Sequence, residues 1–132
     1  MATNKELIQK YYDMWNKKEF DKADQILDEN ISFRGSLDIS TRGIQEFQEY
    51  AKMLTAAFGN LYHAVEITVI ENNIAAVYVT YTGKHIGKIL EYEATGNKFN
   101  YSGAAFFQFR NSKIVSINVL GDLYSLYKQL QS

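Results

Sequence analysis

The chain has 132 residues, 14 Lys and Arg against 15 Asp and Glu, and two histidines. That length is one domain, residues 1–132, large enough to bury roughly two-thirds of its unfolded surface. A formal charge of −1 lacks the basic stripe that nucleic-acid binding needs, and the absence of Cys excludes disulfides, thiol nucleophiles and Cys-ligated metal. With His63 and His85 as the only imidazoles, no metal site is expected. No window reaches the ~18 consecutive apolar residues of a membrane span. The polar opening Met1-Ala2-Thr3-Asn4-Lys5-Glu6 predicts no signal peptide, so a soluble, cytoplasmic protein is expected.

The first segment reads as a helix. Thr3 and Glu6 have the spacing of a capping box, and Leu7, Ile8, Tyr11, Tyr12 and Trp15 recur at helical period. A short second helix is predicted over Phe20 to Leu27, and a short strand over Ile31-Ser32-Phe33. A third helix follows from about Thr41 to Phe58, carried by Ile44, Phe47, Ala51, Leu54 and Phe58 and stopped at Gly59-Asn60. Beyond Asn60 the period falls to two. Val65, Ile67 and Val69 alternate with polar residues, and Asn72-Asn73 offers a turn. Ala75, Val77, Val79 and Tyr81 then form one face of a second strand. Two further strands, Lys98 to Arg110 and Lys113 to Gly121, meet at Asn111-Ser112. Leu123 to Leu130 returns to helical period.

Helices followed by consecutive hairpins predict an α+β domain with a strongly curved antiparallel sheet wrapped around the N-terminal helices. Gly83, Gly87 and Gly103 are expected to mark its bends. Nineteen aromatics, counting 10 Tyr, 8 Phe and 1 Trp, suffice to wall a concave apolar pocket as well as fill a core.

Asp122 is the candidate acid. A regular strand would place Ile114, Ser116, Asn118, Leu120 and Asp122 on one face, with the carboxylate among apolar neighbours that raise its pKa. The competing reading is that Asp122 caps the last helix. His85 alternates with Val77, Val79 and Tyr81 and is the candidate proton shuttle; its competing reading is a strand-end histidine on the surface. His63 has no supporting context and reads as structural. Trp15 is expected as pocket wall. Tyr78, Tyr92, Tyr101, Gln108 and Arg34 are candidate hydrogen-bond donors to an oxygen-bearing ligand. No phosphate loop, dinucleotide fingerprint, nucleophile elbow or HExxH motif is present, so no cofactor is expected and chemistry would be acid–base.

Read together, Gly83-Lys84-His85-Ile86-Gly87, Ala94-Thr95-Gly96-Asn97-Lys98, Phe109-Arg110-Asn111-Ser112-Lys113-Ile114 and the terminal Asp122 to Gln129-Leu130 resemble the SnoaL-like polyketide cyclase (ester cyclase) family. Tyr11-Tyr12-Asp13-Met14-Trp15-Asn16 with Phe20-Asp21 resembles its opening helix, and Thr41-Arg42-Gly43-Ile44 the approach to its long helix. The resemblance implies a cone-shaped α+β barrel shared with nuclear-transport-factor-like proteins, no cofactor, and a homodimer packed through the outer sheet face. It also implies ring closure or a related proton transfer on a small hydrophobic carbonyl compound. The acidic residue of that chemistry matches Asp122; the leading reading adds His85 and Asn118 as its polar partners and Trp15 and Tyr101 as pocket wall. Ser116 and Asn118 stand where the family commonly has Glu and Trp, which implies a changed pocket. A non-catalytic binding or dimerisation module, or an isomerase or dehydratase, are the alternatives on the same scaffold.

Overall fold

The computed structural model describes residues 2–131. Helix α1 (Asn4–Lys17) opens with the expected reciprocal cap: the Glu6 N–H donates to Thr3 Oγ1 at 3.1 Å and the Thr3 N–H donates to Glu6 Oε1 at 3.3 Å. It ends at Lys18 in the left-handed region, whose N–H returns to the Trp15 carbonyl. A 3-10 helix, Phe20–Gln25, replaces the predicted second α-helix. Strand β1 (Leu27–Arg34) is longer than expected, and Ser40–Arg42 forms a short strand β2. Helix α2 (Ile44–Ala57) therefore starts three residues later than the periodicity suggested. Strands β3 (Phe58–Glu71), β4 (Ile74–His85), β5 (Lys98–Arg110) and β6 (Lys113–Gly121) and helix α3 (Leu123–Leu130) complete the chain.

The six strands form one sheet in the order β2-β1-β6-β5-β4-β3, curved but not closed. The β3–β6 meander is antiparallel, as expected. β1 instead lies parallel to β6, because the meander leaves β6 with a free edge and β1 fills it in the same direction. Helices α1 and α2 cover the concave face, and α3 packs on β5. Turn residues behave as their chemistry demands: Asn72, Asn111 and Ser112 all take positive φ between β-strands.

One expected bend falls at Gly83, which faces both Asn60 and Leu61 where the register shifts between Gly59 and Tyr62, and none falls at Gly103. Further shifts occur between Val65 and Ile67 and between Gln108 and Phe109. Gly103 serves close approach: a Cβ there would sit 2.8 Å from the Tyr81 ring and 2.9 Å from the Leu120 carbonyl.

The core is continuous from α1 through the sheet. Phe107 is fully buried, with the Tyr11 ring edge-on at 5.3 Å and the Phe109 ring stacked at 6.2 Å. Phe107→Ala is expected to cost about 3–5 kcal/mol, read by urea denaturation.

Candidate functional site

The inner face of the sheet carries a row of three rings on adjacent strands. His63 on β3 pairs in register with Tyr81 on β4, and Tyr81 with Tyr101 on β5. Ring centroids are 4.9 Å apart for the first pair and 4.8 Å for the second. The helices supply the opposite wall. Tyr11 and Trp15 share one face of α1 at i, i+4 spacing, as do Tyr50 and Leu54 on α2. Trp15 stacks on His63 at 4.8 Å and 27°. Between these walls lies a cavity of about 20 Å³, also lined by Phe33, Ser36 and Val119. That volume holds about one water.

Among the described residues, no carboxylate and no cation lines this cavity. Its polar groups are neutral and kept so by burial. Desolvation pushes the Tyr101 phenol up to about 12, partly offset by its 2.8 Å hydrogen bond with Ser36 Oγ. The phenols of Tyr11, Tyr12, Tyr50 and Tyr81 are raised by the same cause. Burial lowers His63 to about 3, with the Lys18 charge adding to the effect, so the imidazole is neutral at physiological pH. The interior thus offers O–H donors and an uncharged imidazole, suited to a carbonyl or hydroxyl and hostile to an ion.

Several of these groups lack partners. His63 Nδ1 is buried with none. The Trp15 Nε1–H lies near the Tyr11 oxygen but makes no hydrogen bond of good geometry, and the Tyr50 hydroxyl lies over the Gly35–Leu37 turn in the same condition. Buried polar atoms left open in this way are where a water or a ligand atom gains most.

His63 itself is fixed through its backbone. Its N–H donates to Asn16 Oδ1 at 2.7 Å, and its carbonyl accepts from Asn16 Nδ2 at 3.0 Å. One side chain at the end of α1 therefore clamps β3 where the imidazole enters the cavity.

The residues singled out in the sequence separate into distinct places. Trp15 and Tyr101 line the cavity. Asp122 does not: it is exposed, and its Oδ1 accepts from the Ser125 N–H at 3.2 Å as the N-cap of α3. The apolar surroundings expected around this carboxylate are absent at this position. His85 is fully buried but outside the cavity. Its Nδ1 accepts from the Thr95 N–H at 3.3 Å and lies 3.1 Å from Thr95 Oγ1, which puts the ring proton on Nε2 and pins the 86–97 loop.

Asn118 faces outward. The shift between Gln108 and Phe109 leaves Val115 unpaired, so Ile117 and Val119 turn inward while Ser116, Asn118 and Leu120 take the outer face. Gln108, also outward, pairs with Ser116. Arg34 donates from Nε to Asp38 Oδ1 and from Nη1 to the Val119 carbonyl, both at 2.8 Å, at the edge of an outer groove shared with Asn118. Tyr78 is on the outer face and donates to Ser102 Oγ at 3.2 Å, and Tyr92 packs on Tyr127 at 5.4 Å.

An open, curved α+β sheet around an aromatic interior is the cone-shaped α+β architecture. The sequence profile of the SnoaL-like polyketide cyclases matches residues 5–130, and the chain belongs to that family. Solved structures agree on the fold. A protein of Jannaschia sp. CCS1 described as SnoaL-like polyketide cyclase superposes with a TM-score of 0.89 at 16% identity, over 98% of this chain and 92% of the other. TsrD of Streptomyces laurentii gives 0.87 at 19% identity over 98% of each chain. A SnoaL-like polyketide cyclase of Agrobacterium tumefaciens gives 0.83 at 19% identity, over 98% and 99%. No curated protein matches the chain. Among the described residues, no helix is long and apolar enough to cross a membrane.

The depressed His63 titration has a consequence for stability. The unfolded chain takes up the proton near pH 6.5, whereas the folded chain takes it up only near 3. Stability is therefore expected to fall as pH drops below 6.5, by about 1.4 kcal/mol per pH unit from this group. His63→Gln should flatten that slope between pH 6.5 and 5, measured as denaturation midpoints at each pH.

Proposed function

We propose that this SnoaL-like protein binds a small, uncharged, oxygen-bearing hydrophobic compound in its interior with neutral hydrogen-bond donors, the helix side chains moving apart to make room, since the closed cavity holds only about one water. The observation that carries this reading is the in-register row His63–Tyr81–Tyr101, buried beside Trp15, with His63 Nδ1 lacking a partner. A carbonyl oxygen placed against the row would accept from a phenol. Apolar flanks would stack on Trp15 and Tyr81.

The same donors would stabilise the enolate formed when a proton leaves the neighbouring carbon, which is the chemistry the family resemblance implies. The matching base is what the interior lacks. His63, at about 3, is a poor proton acceptor at neutral pH, and Asp122 is engaged as a helix cap. Binding is therefore the function the geometry supports, ahead of cofactor-free proton transfer centred on Asp122.

Two variants separate these readings, with 1-tetralone and acetophenone as probes. Tyr101→Phe removes a donor and leaves Ser36 Oγ without its partner, so affinity measured by calorimetry should fall about 5–10-fold. Asp122→Asn keeps a capping side chain and should leave affinity within about twofold. Proton exchange at the α-carbon of 1-tetralone in deuterated water, present in wild type and lost in Asp122→Asn, would return the acid/base role to Asp122.

We further propose that the outer sheet face meets a second copy of the chain. Ile67, Val69, Tyr78, Phe106 and Leu120 are exposed there on four adjacent strands, forming a self-complementary apolar surface. Phe106→Arg is expected to shift the protein to the monomer in sedimentation velocity without altering ketone binding.

A further inference from the structure

Resting on the reading that the interior holds a ligand, we propose that the groove between α1 and β3 is the entrance to the cavity. Tyr12 forms the partition with His63 and sets what size of molecule can pass. Two residues make the connection: Tyr12 and His63 line both the 20 Å³ cavity and an outer groove of about 400 Å³ bounded by Ile8, Asp13, Asn16 and Val65. On the opposite side a single residue, Phe33, is shared with the outer groove of about 410 Å³ beside Arg34 and Asn118, against two shared residues here. On the far side the chain is packed backbone to side chain: a Cβ on Gly121 would sit 2.9 Å from the Ser36 carbonyl, and one on Gly35 would collide with the Tyr50 hydroxyl. The Arg34 bonds to Asp38 and to the Val119 carbonyl tie that side down further.

The α1–β3 side is built differently. β3 is an edge strand, held through β4 alone on its hydrogen-bonding side. Val65 pairs with the fully buried Val79 on the inner face, yet it is itself 43% exposed because α1 leaves it uncovered. The seam is tied at its ends, by Asn4 Nδ2 to the Asn72 carbonyl at 3.1 Å and by the Asn16 clamp on His63. Between those ties the partition consists of side chains, and the Tyr12 ring can swing without breaking the sheet. Tyr12 is thus a size filter, and Asn16 a positioning residue that holds the filter shut. The molecule admitted is neutral, since a charge would meet the uncharged interior directly behind the partition.

Trp15, the sole tryptophan, borders the cavity and reports arrival there without any bound ligand. The experiment is quenching of its fluorescence by two neutral quenchers, acrylamide and the bulkier succinimide, in wild type, Tyr12→Ala, Asn16→Ala and Arg34→Ala, each first shown to be folded by circular dichroism. Access through local opening predicts that Tyr12→Ala raises the acrylamide quenching constant about threefold or more, and the succinimide constant by a larger factor. Asn16→Ala should raise both by a smaller factor, and Arg34→Ala should leave both within about 1.5-fold. Should Tyr12→Ala not fold, Asn16→Ala against Arg34→Ala decides alone. The proposal is overturned if Arg34→Ala raises quenching as much as the α1–β3 variants, or if neither of those variants raises it. Failure of the ketones to bind, with quenching as expected, would remove the binding reading and leave the entrance standing.

Discussion

The interior of this protein is decided by two single-residue shifts in strand pairing. Around the Asn72-Asn73 turn, a regular hairpin would set His63 opposite Thr82, on the outer face. The shift between Val65 and Ile67 brings it opposite Tyr81 instead. At the next hairpin a regular continuation would set Asn118 opposite Ala105, facing inward. The shift between Gln108 and Phe109 sends it outward opposite Phe106 and brings Val119 in. Because side chains alternate with period two, each one-residue shift exchanges the two faces for every position beyond it. The aromatic row, the stacking of Trp15 on His63 and the absence of a polar amide beside them all depend on those two positions.

This explains which features were legible in the sequence. The capping box, the asparagine turns and the hydrophobic period act locally, and they placed α1, the β3–β6 meander and α3 close to their observed bounds. β2 and the parallel β1–β6 pairing were not legible, since both depend on which edge of the finished sheet remains free. Trp15, marked by helical period, and Tyr101, read as a candidate donor and pocket wall, both line the cavity. His63 and Asn118 were missed for one reason, since a bulge carries no strong residue signature at Glu66 or Val115. Counting outward from the Asn72-Asn73 turn gives the regular register. Only the burial demand of Val79 and Tyr81 against α1 reveals that the register must slip.

The motifs that carried the family resemblance prove to be docking devices. His85 from the first motif bonds Thr95 from the second, and together they pin the loop between β4 and β5. In the terminal motif Asp122 caps α3, Leu126 and Leu130 are buried, and Gln129 both donates to and accepts from the Asn100 backbone, at 2.7 and 2.8 Å. These residues hold the last helix and the loop between β4 and β5 onto the sheet. A pattern of this kind transfers architecture reliably. The inner faces of β3–β5, by contrast, carry the ring row His63, Tyr81 and Tyr101 that lines the cavity.

The chemical character of that inner face follows from a balance of costs. An ionised carboxylate in a cavity of this size would lose its hydration without a cation to compensate, whereas a phenol loses little and retains a directional O–H. Filling the cone with tyrosines therefore gives an interior compatible with neutral groups, without a general base. Turnover would need that base to be brought from the rim or carried by the substrate itself. The Asp122 cap is one such group at the rim: Gly121, one residue before it, packs against Ser36 and Tyr101 at the cavity wall. Releasing the carboxylate would forfeit a helix cap worth about 1 kcal/mol. A bound ligand could outweigh that cost only by giving the carboxylate a better hydrogen-bond donor than the Ser125 N–H, so binding must precede any chemistry at this site.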